Sequence, residues 1–77
     1  MIKNLTEMKI GDSGIVKELQ GGMGFTERIR GMGIYPGKKI KKTGAHFWRG
    51  PVTVVVDSFQ VAIGYGMASR VIVELEG

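Results

Sequence analysis

Apolar and polar positions alternate in two rhythms along this chain, one helical and one of strands. Phe25, Ile29 and Met32 recur at the spacing of a single helical face, while Thr26, Glu27, Arg28 and Arg30 fall elsewhere. Gly33 follows the last residue of that stripe, where a helix stop favours a left-handed residue without a β-carbon, and Arg28 and Arg30 lie near the negative end of the helix dipole. Tyr35-Pro36-Gly37-Lys38 then places proline where a type II turn needs a fixed φ and glycine where it needs a positive one. Gly31, Gly33, Pro36 and Gly37 therefore read as a corner that stops a helix and launches a strand.

The rhythm of two is strongest from Pro51 through Ser58, with Val52, Val54 and Val56 on one face and Thr53, Val55 and Asp57 on the other. Asp57-Ser58 predicts a tight turn, with a return strand beginning at Val61-Ala62-Ile63. Ser13 to Leu19 and Val71 to Leu75 read as further strands, and Gly64 to Ala68 as a short helical or 3₁₀ excursion. Lys38 to Thr43 has Ile40 as its only aliphatic and lysines at 38, 39, 41 and 42, so it reads as a wetted edge strand. The stretch Asn4 to Met8 predicts one helical turn capped by Asn4 or Thr6, a clip over the end of the fold. Gly44 to Gly50 is a loop with an aromatic tip, closed by Gly50-Pro51, where proline cannot donate to a central ladder.

These elements make the chain mainly β, with about five short strands, one helix after the first strand and no βαβ spacing. A small antiparallel barrel is the economical architecture, because closure removes edges that an open sheet would expose. The 77 residues read as a single domain, 1–77. At that size folding buries only roughly 60% of the unfolded surface, too little for a deep enclosed active site. The chain has no cysteine, which removes disulfides, thiolate metal sites and cysteine nucleophiles together. Neither a signal-peptide run nor an apolar stretch approaching the ~18 residues of a membrane span is present, so a soluble cytoplasmic protein is expected.

Charge adds a direction. Arg28, Arg30, Lys38, Lys39, Lys41, Lys42 and Arg49 lie between Glu27 and Asp57 with no acid among them, so nearly all of the net charge of +4 falls on one flank. That flank reads either as a docking face for an acidic surface or membrane phosphates, or as a solvated edge strand. Nucleic acid is the alternative ligand, with Phe47 and Trp48 stacking bases, although nothing in the sequence reads base edges.

Catalytic and cofactor signals are weak. Gly22-Met23-Gly24 lacks the third glycine and the βαβ frame of a dinucleotide loop, and Gly37-Lys38-Lys39 lacks the hydroxyl of a phosphate-binding loop. Lys42-Thr43-Gly44 stands without the serine of the motif set it matches. His46 has no second histidine, cysteine or acid within ten residues, so it reads as a wet loop histidine and no metal ligand set is expected. Asp57 beside Ser58 reads as turn chemistry. No catalytic residue, cofactor or enzyme activity is expected. Met23, Phe25, Trp48, Tyr65 and Met67 are large apolar residues in loops or at element starts. Phe25 should pack inward, whereas Trp48 and the Met23 and Met67 pair could border an adaptable groove.

Gly11-Asp12-Ser13-Gly14, the run Ile29-Arg30-Gly31-Met32-Gly33-Ile34-Tyr35-Pro36-Gly37, Gly50-Pro51, and Ala62-Ile63 with Ala68 together resemble the ferrous-iron-transport protein A family, FeoA, over essentially the whole chain. The resemblance implies an SH3-like barrel and a small cytoplasmic accessory protein acting on FeoB, a membrane Fe(II) transporter with a cytoplasmic GTPase, and so placed at the inner face of the membrane through that partner. The same fold occurs as the C-terminal domain of iron-dependent repressors, but without a helix-turn-helix in these 77 residues a stand-alone module is the expectation. On this reading Arg28, Arg30, Lys39, Lys41, Trp48, Arg49, Met23 and Met67 are the candidate partner-binding residues. Self-association is a further expectation left open.

Overall fold

One antiparallel sheet, bent by bulges and by a glycine corner, curls around an aliphatic core. The structure is a computed structural model and describes residues 1–76. Strand β1 (Ile2–Asn4) is followed by β2 (Ser13–Leu19), helix α1 (Met23–Gly31), β3 (Lys39–Ala45), β4 (Val52–Val56), β5 (Phe59–Ile63), the short helix α2 (Tyr65–Ala68) and β6 (Val71–Leu75). The order across the sheet is β1-β6-β2-β3-β4-β5, and every pair is antiparallel.

Inward positions follow the rhythm of two. Val52, Val54 and Val56 are buried on β4, Val71 and Val73 on β6, and Ile40 on β3. Each fully buried aliphatic contributes about 1.5–3 kcal/mol of transfer free energy, and a chain without cysteines relies on that term. The register slips between Val16 and Glu18 on β2 and between Lys42 and Gly44 on β3. Such bulges sharpen the local twist and bend the sheet toward closure.

The corner has the predicted form. Gly33 and Gly37 take φ of 84° and 98°. The Gly33 N–H donates to Arg30 O at 2.9 Å and the Ile34 N–H to Ile29 O at 3.3 Å. These are the two hydrogen bonds of a Schellman stop, and Ile29 and Ile34, both fully buried, supply its apolar contact. Two bonds later the Lys38 N–H donates to Tyr35 O at 3.1 Å, closing the Pro36-Gly37 turn.

Four sequence expectations change. The chain adds an N-terminal strand, Ile2–Asn4, which makes six strands rather than about five. A three-residue strand with one exposed aliphatic is too short to show a period. Second, the lysine-rich strand is interior, paired with β2 and β4, and the edges are β1 and β5, which do not pair with each other. Third, β5 begins at Phe59, directly after the turn, and not at Val61.

The fourth change is Lys42, which is only 4% exposed instead of wetted. Alternation along β3 turns Ile40 and Lys42 to the same inner side, and the lysine stem extends beneath the turn formed by residues 4–8. That turn has the predicted cap: Asn4 Oδ1 accepts from the Thr6 N–H at 2.8 Å, and the Glu7 carboxylate accepts from the Asn4 N–H at 3.0 Å. Leu5 and Met8 go into the core. The Lys42 ammonium donates to Met8 O at 2.7 Å, Leu5 O at 2.9 Å and Thr6 O at 3.3 Å. Burial pushes it below the ordinary lysine range, with the Asp12 carboxylate opposing.

Two substitutions test this frame by equilibrium denaturation. Gly33→Val places a β-branched residue at positive φ, with the nearest side-chain atom 3.9 Å from the new β-carbon, so strain rather than collision sets the cost. A loss of roughly 2–3 kcal/mol is expected, and Gly33→Asn should lose much less. Lys42→Met keeps the apolar stem but strands three carbonyls, for an expected loss of about 2–4 kcal/mol. An unchanged midpoint in either case would contradict the role given to that residue.

Candidate functional site

The exposed candidate side chains lie at the two ends of the β3–β4–β5 ribbon and along β3 between them. At the corner end, α1 delivers Arg28 and Arg30 on its last turn, both exposed. The Tyr35 ring receives the Arg30 guanidinium 5.8 Å from its centroid and the Lys38 ammonium at 5.5 Å. Lys38 also pairs with Asp57, which the β4–β5 turn brings across to it. Asp57 and Ser58 have φ of 50° and 72°, so both central residues of this two-residue turn are left-handed, as a type I′ hairpin requires. Between the corner and the hairpin lies an open groove of about 420 Å³ whose walls include Met32, Gly33, Val56, Phe59 and Val61.

The outer side of β3 carries Lys39 and Lys41. Lys39 reaches Glu76 at 3.3 Å, and Lys41 has no acidic partner among the described residues. At the far end, the β3–β4 loop lifts Phe47, 92% exposed, and Trp48, 98% exposed, into solvent. Trp48 and Arg49 have φ of 62° and 58°, consecutive left-handed residues that cost backbone strain. Gly50 closes the loop with its N–H on Phe47 O at 3.3 Å, and Pro51 leads into β4. Arg49 stacks over Tyr65 at 5.8 Å, which ties the loop to the start of α2.

The candidate residues thus fall into separate groups. Arg30 and Lys38 meet on Tyr35 at the corner, with Arg28 on the same turn of helix. Lys39 and Lys41 line the strand between, and Trp48 with Arg49 stands at the other end. The seven residues of β3 separate the ends by roughly 20 Å, at about 3.3 Å per residue. Met23 is exposed at the start of α1, whereas Met67 is half-buried against the core. The groove that the structure shows is walled by neither of them. Phe25 packs inward as expected, under the Arg70 guanidinium at 5.7 Å.

No cluster of three metal-ligating side chains occurs among the described residues, and His46 is exposed in the loop. Sequence reasoning missed the groove and the exposed Phe59. The available signal was the register itself: pairing with Val56 puts Phe59 on the inner face, at the rim where the sheet ends.

A mostly β chain of six antiparallel strands in one curled sheet, with a single long helix after the second strand, is a small SH3-like domain. The FeoA domain family model matches residues 3–75, and the chain belongs to the FeoA family. A candidate Fe(2+) transport protein A of Methanocaldococcus jannaschii is 36% identical over 66 residues, 86% of this chain and 78% of that protein. A solved iron uptake regulatory protein, FeoA, superposes with a TM-score of 0.90 at 36% identity, covering 99% of both chains. The zinc complex of Stenotrophomonas maltophilia FeoA, described as a procaryotic SH3 domain protein, has a TM-score of 0.79 at 22% identity. It covers 95% of this chain and 94% of that one, and shares the fold.

The Lys38–Asp57 pair makes stability depend on pH. Its hydrogen bond to the Asp57 carboxylate, together with the field of that carboxylate and of Tyr35, holds the Lys38 ammonium above its ordinary value of 10.5. A raised pKa gives stability that is complete below the unfolded value and is lost as pH rises through the folded one. Asp57→Asn suits the left-handed turn position and removes the charge. The stability difference between wild type and Asp57→Asn should therefore stay constant from neutral pH to about 10 and shrink above it. A difference that persists unchanged into stronger alkali would contradict the pairing.

Proposed function

We propose that this FeoA-family chain is a small accessory protein of ferrous-iron uptake that docks on the cytoplasmic side of a FeoB-type membrane transporter and regulates or stabilises it. The observation that carries the reading is the FeoA match over residues 3–75, supported by the Fe(2+)-transport name of a relative at 36% identity. No helix among the described residues is long and apolar enough to cross a membrane, and on this reading the protein meets the membrane through its partner. It acts by binding and carries out no chemistry of its own.

The surfaces suit that role. Arg28, Arg30, Lys39 and Lys41 face solvent with no acid between Glu27 and Asp57, so they steer an acidic partner into an encounter. Trp48 offers a large apolar side chain that a partner can desolvate. An interface of ordinary size covers about 800 Å² on each side, wide enough to span both ends of β3.

Association and dissociation rates with a detergent-solubilised transporter test the reading. Trp48→Ala should lose on the order of 2 kcal/mol, mostly as faster dissociation. Replacing Lys39 and Lys41 by glutamine should instead slow association and flatten its salt dependence. No binding to the transporter, with steeply salt-dependent binding of a single-stranded oligonucleotide that the lysine replacements weaken, would overturn the accessory role in favour of nucleic-acid binding.

A further inference from the structure

Strand β5 ends the sheet and has a neighbour on one side only. The hairpin sets which of its backbone groups are free. In a two-residue hairpin the closing pair, here Val56 and Phe59, exchanges both hydrogen bonds, and pairing then alternates to Val54 with Val61 and Val52 with Ile63. The N–H and C=O groups of Gln60 and Ala62 consequently point away from β4. Among the described residues, no backbone group of β5 bonds to anything outside its ladder.

Edge strands usually carry a guard such as a charge, a proline, a bulge or extreme shortness. Phe59-Gln60-Val61-Ala62-Ile63 has none of these, whereas β1, at the other edge, is three residues long and contains Lys3. An added strand would also have somewhere to put its side chains. Phe59, 73% exposed, and Val61 share the inner face of β5 and line the corner groove together with Met32 and Gly33. A strand paired with β5 would run beside this groove and drop alternate side chains toward it.

Charge selects the occupant. Asp57, the one charged residue lining the groove, is paired with Lys38, whereas Arg30, directly before the groove residues Gly31 and Met32 and with its guanidinium over the Tyr35 ring, has no acidic partner among the described residues. Lys38 reaches the hairpin end of the groove through its pair with Asp57, and on the outer face of the sheet Lys41 sits in the same cross-strand row as Val55 and Gln60. Glu27, the one acid of α1, is a turn earlier. A second copy of this chain would bring its own charge of +4 against the same flank.

We propose that the β5 edge and the corner groove form a strand-addition site for an extended, acid-bearing peptide segment of another protein. Gln60 and Ala62 supply the main-chain pairing, the groove beside Phe59 takes an apolar side chain, and Arg30 meets the acidic residue. The site borders the proposed transporter surface and shares Arg30 and the corner with it, but it is read out on the Gln60 and Ala62 amides, which the transporter kinetics do not report.

Amide exchange by NMR tests it with a short synthetic peptide, Asp-Asp-Val-Thr-Val-Thr-Val, blocked at both ends. At saturation the Gln60 and Ala62 amides should exchange at least about tenfold more slowly, and added salt should weaken binding. The same peptide with lysine for aspartate should bind at least about tenfold more weakly, as should the acidic peptide to Arg30→Gln. A peptide N-methylated at alternate residues loses its pairing N–H groups and should not protect β5. It leaves the protein untouched, so no folding defect can imitate the result.

The proposal is overturned if the acidic peptide leaves Gln60 and Ala62 unprotected, or if the basic or N-methylated peptide binds as well. It is also overturned if the free protein sediments as a dimer with those amides already protected, since the occupant is then a second copy. Any of these results leaves docking through Lys39, Lys41 and Trp48 standing, because the transporter kinetics measure that separately.

Discussion

The fold and its exposed chemistry depend on a single backbone constraint, the stop that ends α1. Ile29 must lie in the core as the last buried residue of the helix, and Ile34 must lie there as the first residue of the way out. Only a reversal within the intervening residues allows both, and the bond from the Ile34 N–H to Ile29 O records it. A left-handed residue at Gly33 makes the reversal without steric cost. The reversal then sets Tyr35 under two cations and Lys38 within reach of Asp57, and it gives the groove its Gly31–Gly33 wall. The corner therefore determines the geometry of one end of the ribbon as well as the topology.

Lys42 does for the other end of the core what the Schellman bonds do at the helix. A turn over the end of a small barrel leaves carbonyls facing inward, and burying them unpaired is costly. One ammonium with three donors answers three of them at once, and the described residues leave no buried side-chain nitrogen or oxygen without a partner. The charge is desolvated in the process, as its lowered pKa records, and the carbonyl dipoles offset that cost.

How much of this could be read from the residues depended on how local its cause was. The corner, the Val52–Val56 alternation, the Asp57-Ser58 turn and the Asn4 cap were legible because each is decided within a few residues. The place of β3 in the sheet was not, since four lysines favour an edge unless the pairing of β2 with β3 is known. Lys42 was hidden for the same reason: its partners lie 34 to 37 positions away. The candidate residues were legible as exposed and basic, but not as a map. Nothing between Arg30 and Trp48 in sequence indicates that β3 runs the length of the ribbon between them.

The central functional claim is that a transporter's cytoplasmic surface covers the corner, the outer side of β3 and the aromatic loop together. Hydroxyl-radical footprinting of the free protein and of its complex with a FeoB-type transporter tests it most directly, because Trp48 and Tyr35 are both exposed reporters at opposite ends of the ribbon. The account predicts that both side chains are protected from oxidation in the complex while Ile2, exposed on β1, reacts as before. Protection at Ile2 with Trp48 and Tyr35 left fully reactive would contradict it.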